Sequence, residues 1–277
     1  MKITYKDNGV YVTETKDFDI KRSCECGQCF RFEPDEKGYT GVISGHIVKL
    51  RQVEDGCFFE GVSKELFEKL YIPYFDLARD YAPIVEMLCK DDTVMQEACT
   101  YGRGIRLYNQ DTWESLISFI ISQNNNIPRI KGIIGRLCEL AGKEIENGLY
   151  AFPDVETLKN YSVEDLAPIR AGFRAKYIVD AAQKVASKEI DLESLKSLPY
   201  EEAKKVLMQI KGVGPKVADC VLLFGAGHIE AFPRDVWIKR AMSALYPDDP
   251  ERDFGNYGGI AQQYLFVYAR ENKIITQ

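Results

Sequence analysis

The sequence predicts an α+β fold, with an N-terminal antiparallel β-sheet and flanking helices over residues 1–104 and a mostly helical body over residues 105–277. Three observations predict it. Residues 1–62 carry short apolar runs bounded by turn signals, which read as strands. From Ser63 onward apolar residues recur at helical spacing. At 211–220, KGVGPKVADC, a Gly-x-Gly step separates two helix-periodic runs, the pattern of a helix-hairpin-helix at about 200–224.

In the first part, runs at 41–43 and 47–50 flank Ser44-Gly45, a hairpin signal, and Glu54-Asp55-Gly56 is a second turn before the run at 57–62. Ser63 reads as an N-cap ahead of Leu66, Phe67 and Leu70. Tyr101-Gly102-Arg103-Gly104 is the expected hinge between the two parts. Asp111 with Glu114 has capping-box spacing before Leu116, Ile117, Ile120 and Ile121, the buried side of the next helix. That helix ends in the polar stretch Ser122-Gln123-Asn124-Asn125-Asn126, and Ile130, Ile133, Ile134 and Leu137 mark an amphipathic helix with Arg129 near its start. The stretch 168–172 breaks the helical pattern and leaves Phe173-Arg174 at a helix start. After the hairpin come a loop at 232–235, a helix at 236–245, a loop at 246–257 and a last helix through Gln262 and Phe266.

Composition narrows the class of protein. The chain has 277 residues, 45% of them apolar, enough for a substantial core. It has no charged segment ahead of an apolar one at its start and no run of about 18 apolar residues, so a soluble cytoplasmic protein without membrane contact is expected. Its eight cysteines are then expected as reduced thiols. Cys24, Cys26 and Cys29 are clustered, but no fourth ligand at suitable spacing accompanies them, so no metal is expected. Net charge is −6, against a broad polyanion-binding surface; residues 1–100 carry −6, residues 101–240 carry +2 and residues 241–277 carry −2. Arg129, Lys131, Arg136, Arg170, Arg174, Lys176, Lys204, Lys205 and Lys211 fall in the one net-positive segment, where they are either a local phosphate-binding face or ordinary solvated surface.

The hairpin carries the chemistry. Gly212 and Gly214 leave backbone N–H groups bare beside a helix N-terminus, and Pro215 suits the first helical position. Lys216 follows in the first turn, and Asp235 stands about twenty residues on in FPRDV. By itself this is also the pattern of a non-catalytic DNA clamp. With GQCFRF at 27–32, SQNNNIPRI at 122–130, GVGPKVADC at 212–220, FPRDV at 232–236 and GGIAQQYLF at 258–266 in that order, nearly the whole chain resembles the 8-oxoguanine DNA glycosylase/AP lyase family of the helix-hairpin-helix DNA glycosylase superfamily.

The resemblance implies a bifunctional enzyme that needs no cofactor, works as a monomer and acts on double-stranded DNA containing 8-oxoguanine. Lys216 is then the nucleophile at the sugar C1′, and Asp235 the carboxylate that stabilises the developing oxocarbenium ion; Asp235 also fits as a helix cap. The Gly27 carbonyl would accept the N7 hydrogen peculiar to 8-oxoguanine, Cys220 and Phe266 would sandwich the base, Gln262 would read its Watson–Crick edge, and Pro233 would line the pocket. Phe173 would fill the gap left in the duplex, and Asn124, Arg129 and Arg174 would contact the base left behind, cytosine by preference; Gly212 and Gly214 would hold the backbone. The chain departs from the commoner family pattern at Trp237, where a phosphate-contacting histidine is often found, at Phe173 for tyrosine, and at Pro128 for alanine. The rival expectations are a glycosylase for another oxidised base and a helix-hairpin-helix protein that only binds DNA.

Overall fold

The structure, a computed structural model, describes residues 1–15 and 17–274. Six strands form one antiparallel sheet: β1 (Lys2–Lys6), β2 (Gly9–Thr13), β3 (Phe32–Asp35), β4 (Gly38–Ile43), β5 (His46–Val53) and β6 (Gly56–Glu60), in the order β1-β2-β6-β5-β4-β3. The β4–β5 turn is the expected Ser44-Gly45, both at positive φ, with Ile43 paired to His46. These are the dihedrals of a two-residue hairpin whose twist matches its strands. The β5–β6 turn uses Glu54 and Asp55 alone, and Gly56 already pairs with Val53.

One face of the sheet buries Val10, Val12, Val48, Leu50 and Phe59 against a continuous helical run made of α2 (Lys64–Leu66), a π-helical turn (Phe67–Tyr71) and α3 (Ile72–Tyr74). Phe59 meets Phe67 and Phe75 edge to face, with centroids 5.0 and 5.2 Å apart. Ser63 caps this run through the Leu66 N–H, as its position implied. The strand-like reading of 1–62 missed α1 (Ile20–Glu25), which is capped by Asp19. Six residues give fewer than two turns, too few for a helical period to stand out.

The remaining helices are α4 (Ala82–Leu88), α5 (Thr93–Gly102), α6 (Thr112–Ser122), α7 (Ile127–Ala141), α8 (Val155–Leu158), α9 (Ala175–Ala186), α10 (Tyr200–Leu207), α11 (Pro215–Gly225), α12 (Val236–Leu245) and α13 (Gly258–Glu271). A small hairpin, β7 (Glu144–Glu146) and β8 (Leu149–Tyr150), interrupts them, and its signal was the Asn147-Gly148 pair, both at positive φ. Helix α6 is central and buries Leu116, Ile117, Ile120 and Ile121 in the second core. Asp111 caps it by accepting from the Glu114 N–H at 2.8 Å. The Glu114 carboxylate faces Arg31 at 3.5 Å and makes no return bond to Asp111, so only half of the expected capping box forms. Burial pushes the Glu114 carboxyl up to about 7, against the pull of the Arg31 charge.

The expected hinge at 101–104 is packed on both sides. Gly102 ends α5 so close to α13 that an added Cβ would lie 2.4 Å from the Tyr264 ring, and the Asp19 N–H donates to the Gly104 carbonyl at 2.8 Å. Gly102→Ala should therefore lower the melting temperature by an amount equivalent to about 1–3 kcal/mol, the usual cost of forcing extra volume into a packed contact. A melting temperature equal to that of the unmodified protein would show that α13 yields to the methyl group.

Candidate active site

A cavity of about 740 Å³ opens between the turn after α1, the N-terminal half of α11, the 231–235 loop and α13. Gly27, Lys216, Cys220, Pro233, Asp235, Gln262 and Phe266, distant in sequence, all line it. Each is presented by local structure with an identifiable cause.

Gly27 has a left-handed φ of 87°, and the residue after it is the anchor. The fully buried Gln28 donates from Nε2 to the carbonyls of Ser23 and Arg106 at 2.8 and 2.9 Å and accepts the Tyr108 N–H at 2.8 Å, while its own carbonyl accepts from Gln110 at 2.7 Å. A buried amide with its side-chain oxygen and both N–H groups engaged fixes the turn. Gln28 was not anticipated as a positioning residue, although it stands inside the GQCFRF motif.

The hairpin between α10 and α11 is held from below. The Lys211 N–H donates to Asp180 at 2.8 Å, and Gly212 has a φ of 79° over Tyr177, where a Cβ would lie 2.3 Å from the ring. Pro215 occupies the first turn of α11. Lys216 follows it, half-buried, with Nζ 5.5 Å from the centre of the Phe119 ring. Cys220 lies one turn further along the same face. Burial pushes its thiol up to about 11, although the Lys216 charge draws it back, so it is a neutral wall of the cavity.

On the opposite side Asp235 caps α12, its Oδ1 accepting the Ile238 N–H at 2.8 Å. Its Oδ2 has no hydrogen-bond partner among the described residues, so the cap and a chemical role are compatible. Gln262 is buried, with Oε1 accepting from Gln263 at 2.7 Å and Nε2 3.5 Å from the Pro233 carbonyl. Phe266 stands one turn beyond it on α13. Trp237, Gln263 and Cys26 also line the cavity; Trp237 stands where the family often has a histidine, Cys26 belongs to the cysteine cluster, and no local signal marks Gln263.

A second group lies on the neighbouring surface. Of the three asparagines, Asn126 caps α7 through the Arg129 N–H, and Asn125 donates to the Ile121 carbonyl. Asn124 is exposed at a φ of 47°. Phe173 is 51% exposed, a large apolar ring in water beside Arg174, whose guanidinium carbon is 4.5 Å from the ring centre. Arg174 is largely committed within the protein. It is 3% exposed and gives Nε and Nη2 to the Gln123 carbonyl, Nη2 also to Asn124 at 2.9 Å, and Nη1 to Ala171 at 3.1 Å. Four of the five N–H groups of an arginine are thus engaged, and the fifth remains. Arg129 is exposed and its side chain has no hydrogen-bond partner among the described residues.

Cys24, Cys26 and Cys29 are buried, and burial raises all three thiols. Cys26 and Cys29 donate to the carbonyls of Ser23 and Cys24. Among the described residues no group of three or more His, Cys, Asp or Glu is arranged to hold a metal ion, and no helix is long and apolar enough to cross a membrane.

The fold recurs in known proteins. Residues 10–116 match the N-terminal domain of 8-oxoguanine DNA glycosylase, and residues 117–253 match the HhH-GPD superfamily of base excision DNA repair proteins. A probable N-glycosylase/DNA lyase of Methanothermobacter thermautotrophicus is 31% identical over 76% of this chain and 77% of that protein. The N-glycosylase/DNA lyase OGG1 of Arabidopsis thaliana is 30% identical over 87% and 74%. A solved structure of the Clostridium acetobutylicum 8-oxoguanine glycosylase/lyase, bound to double-stranded DNA with cytosine opposite 8-oxoguanine, superposes with a TM-score of 0.93, 40% identity and 99% of both chains.

Proposed function

This chain belongs to the 8-oxoguanine DNA glycosylase family, and we propose that it excises 8-oxoguanine from duplex DNA through a lysine Schiff base and then nicks the strand. The observation that carries the proposal is a half-buried amine, Lys216, and a carboxylate with one free oxygen, Asp235, lining one cavity with the glycine turn and the α13 side chains.

A base inside a duplex must leave the stack before it can be read, at a cost of a few kcal/mol. Phe173, exposed at its helix start, fills the gap. The flipped base enters between Cys220 and Phe266, with Gln262 at its Watson–Crick edge and Pro233 beside it. The Gly27 carbonyl accepts the N7–H of 8-oxoguanine; guanine has an acceptor there, and losing a buried hydrogen bond costs about 1–3 kcal/mol.

The lone pair of Lys216 Nζ attacks C1′, the bond from C1′ to the base breaks, and its electron pair leaves with the base, which takes up the proton that Nζ sheds. Positive charge accumulates on the sugar in between, where Asp235 stabilises it. The sugar ring then opens to an imine on Nζ, the imine acidifies C2′, and loss of a C2′ proton expels the 3′ phosphate. Gly212 and Gly214 hold the backbone through their N–H groups. No metal or cofactor enters any step.

Three outcomes are expected. Lys216→Gln should lose base release, nicking and the covalent adduct trapped by borohydride while retaining affinity for the lesion duplex; substantial nicking would move the nucleophile elsewhere. Asp235→Asn should slow base release on the order of 10²–10³-fold with the fold intact, because asparagine caps as well as aspartate. A large fall in melting temperature without kinetic loss would leave Asp235 as a cap only. Finally, cytosine offers O2 and N3 to Arg129 and to the remaining N–H of Arg174, whereas adenine presents an amino donor. An unsatisfied charged donor costs at least about 1–3 kcal/mol, so single-turnover excision opposite cytosine should exceed that opposite adenine by roughly tenfold or more. Arg129→Ala should weaken the preference by losing the contact, and Arg174→Ala by loosening Asn124. Equal excision opposite all four bases by the unmodified protein would overturn this assignment.

A further inference from the structure

We infer that Arg234 is a positioning residue that sets the reach of the Asp235 carboxylate from outside the cavity, an inference that rests on the catalytic reading of Asp235 above. Arg234 stands between two cavity residues, Pro233 and Asp235, yet does not line the cavity. Its side chain turns to the 246–257 loop. There Nη1 donates to the Pro250 carbonyl at 3.0 Å, Nη2 donates to the Arg252 carbonyl at 3.1 Å, and Nε lies 3.3 Å from the Glu251 carboxylate. The guanidinium also lies over Phe232, 4.7 Å from the ring centre, and Phe232 stacks on Phe254 at 5.5 Å.

One of the acceptor residues, Arg252, is itself fixed. Arg252 pairs with the buried Asp92 at 3.0 Å, and the Tyr246 hydroxyl reaches both Asp92 oxygens at 3.2 and 3.1 Å. Asp92 in turn caps α5 through the Met95 N–H at 2.9 Å. A chain of polar contacts therefore runs from the backbone beside Asp235, through Arg234 and Arg252, to a helix in the protein core. The other side-chain restraints on this stretch are weaker or purely local, namely the 3.5 Å approach of Gln262 to the Pro233 carbonyl and the cap of Asp235 on its own helix. Two carbonyls and a carboxylate around one group call for the planar fork of arginine, which the point charge of lysine does not reproduce.

A loop that relaxes by about 1 Å misplaces the carboxylate relative to the sugar, and misplacement of that size costs on the order of 10²-fold in rate. The defect falls on base release and spares DNA affinity, because Arg234 does not line the cavity. Single-turnover base release, affinity for the lesion duplex and melting temperature would be measured for the unmodified protein, Arg234→Ala, Arg234→Lys, Asp235→Asn and the double variant Arg234→Ala/Asp235→Asn. The expected result is base release slowed on the order of 10- to 100-fold in both Arg234 variants with affinity unchanged, and a double variant no slower than Asp235→Asn. Arg234→Lys carries the test if the alanine variant does not fold. Unmodified rates in the Arg234 variants, or a double variant whose loss is the product of the two single losses, would overturn the inference. An Asp235→Asn variant releasing base at the unmodified rate would instead remove the catalytic reading of Asp235 on which it rests.

Discussion

One buried guanidinium ties three chain segments together at the junction between the two cores. Arg106 is 1% exposed and has no carboxylate partner among the described residues; its N–H groups go to the carbonyls of Asp17, Asp76 and Arg79 and its charge lies 4.3 Å from the centre of the Tyr81 ring. A charge taken from water is tolerated only where hydrogen bonds replace its hydration, so these three chain segments have little latitude. The same residue reaches the active site through its backbone, because its carbonyl accepts from Gln28 and its N–H donates to the Ser23 hydroxyl. Gly27, the residue assigned to reading the lesion, is therefore positioned by a network whose far end is the junction between the two cores. On the proposed reading its carbonyl distinguishes an N7–H from an N7 lone pair and must not drift, and this network supplies the rigidity.

The acidic character of the chain fits a grip that is local. A net charge of −6 opposes broad phosphate binding, but the hairpin needs only bare N–H groups and a few cations near them. Several cations of the net-positive segment are already engaged within the protein: Lys131 donates to the Phe32 carbonyl, Arg136 to Ile169, Lys204 pairs with Asp219, and Arg174 holds the Asn124 loop. Their charge still contributes to the local field, but their donors shape the protein. The cluster seen in the sequence is thus partly scaffold, while the side chains of Arg129, Arg170, Lys176 and Lys205 make no hydrogen bond or ion pair among the described residues.

Legibility in the sequence followed the range of the interactions. Short-range patterns were readable: the Ser44-Gly45 turn, the Ser63 and Asp111 caps, and the glycine hairpin ahead of Lys216 all form where local rules put them. The cavity residues were legible through the family motifs, since nothing local in Cys220 or Phe266 separates a cavity wall from a core residue. What escaped depends on contacts made across the fold. Helix α1 is too short to show a period, Gln28 acquires its role from Arg106 and Tyr108 about eighty residues away, and Arg174 is committed to carbonyls some fifty residues earlier. Glu114 leaves its capping box because Arg31, on the far side of the sequence, competes for it.

The two groups proposed to react share a design that follows from helix geometry. Lys216 and Asp235 both stand at helix N-termini, one in the first turn of α11 and the other as the cap of α12. Backbone direction is fixed there by the helix, while the side chain still projects beyond the helix end into the cavity. Cys220 follows Lys216, and Phe266 follows Gln262, at four-residue spacing, so each helix offers a reactive or reading group and an apolar wall on one face. With one wall on α11 and the other on α13, the width of the slot is set by how the helices pack. That packing runs through Gly102 under Tyr264 and Gly259, whose added Cβ would lie 2.1 Å from Leu223 of α11. The Gly259 contact lets α11 and α13 come close, as both walls must if they are to touch one flat base as proposed.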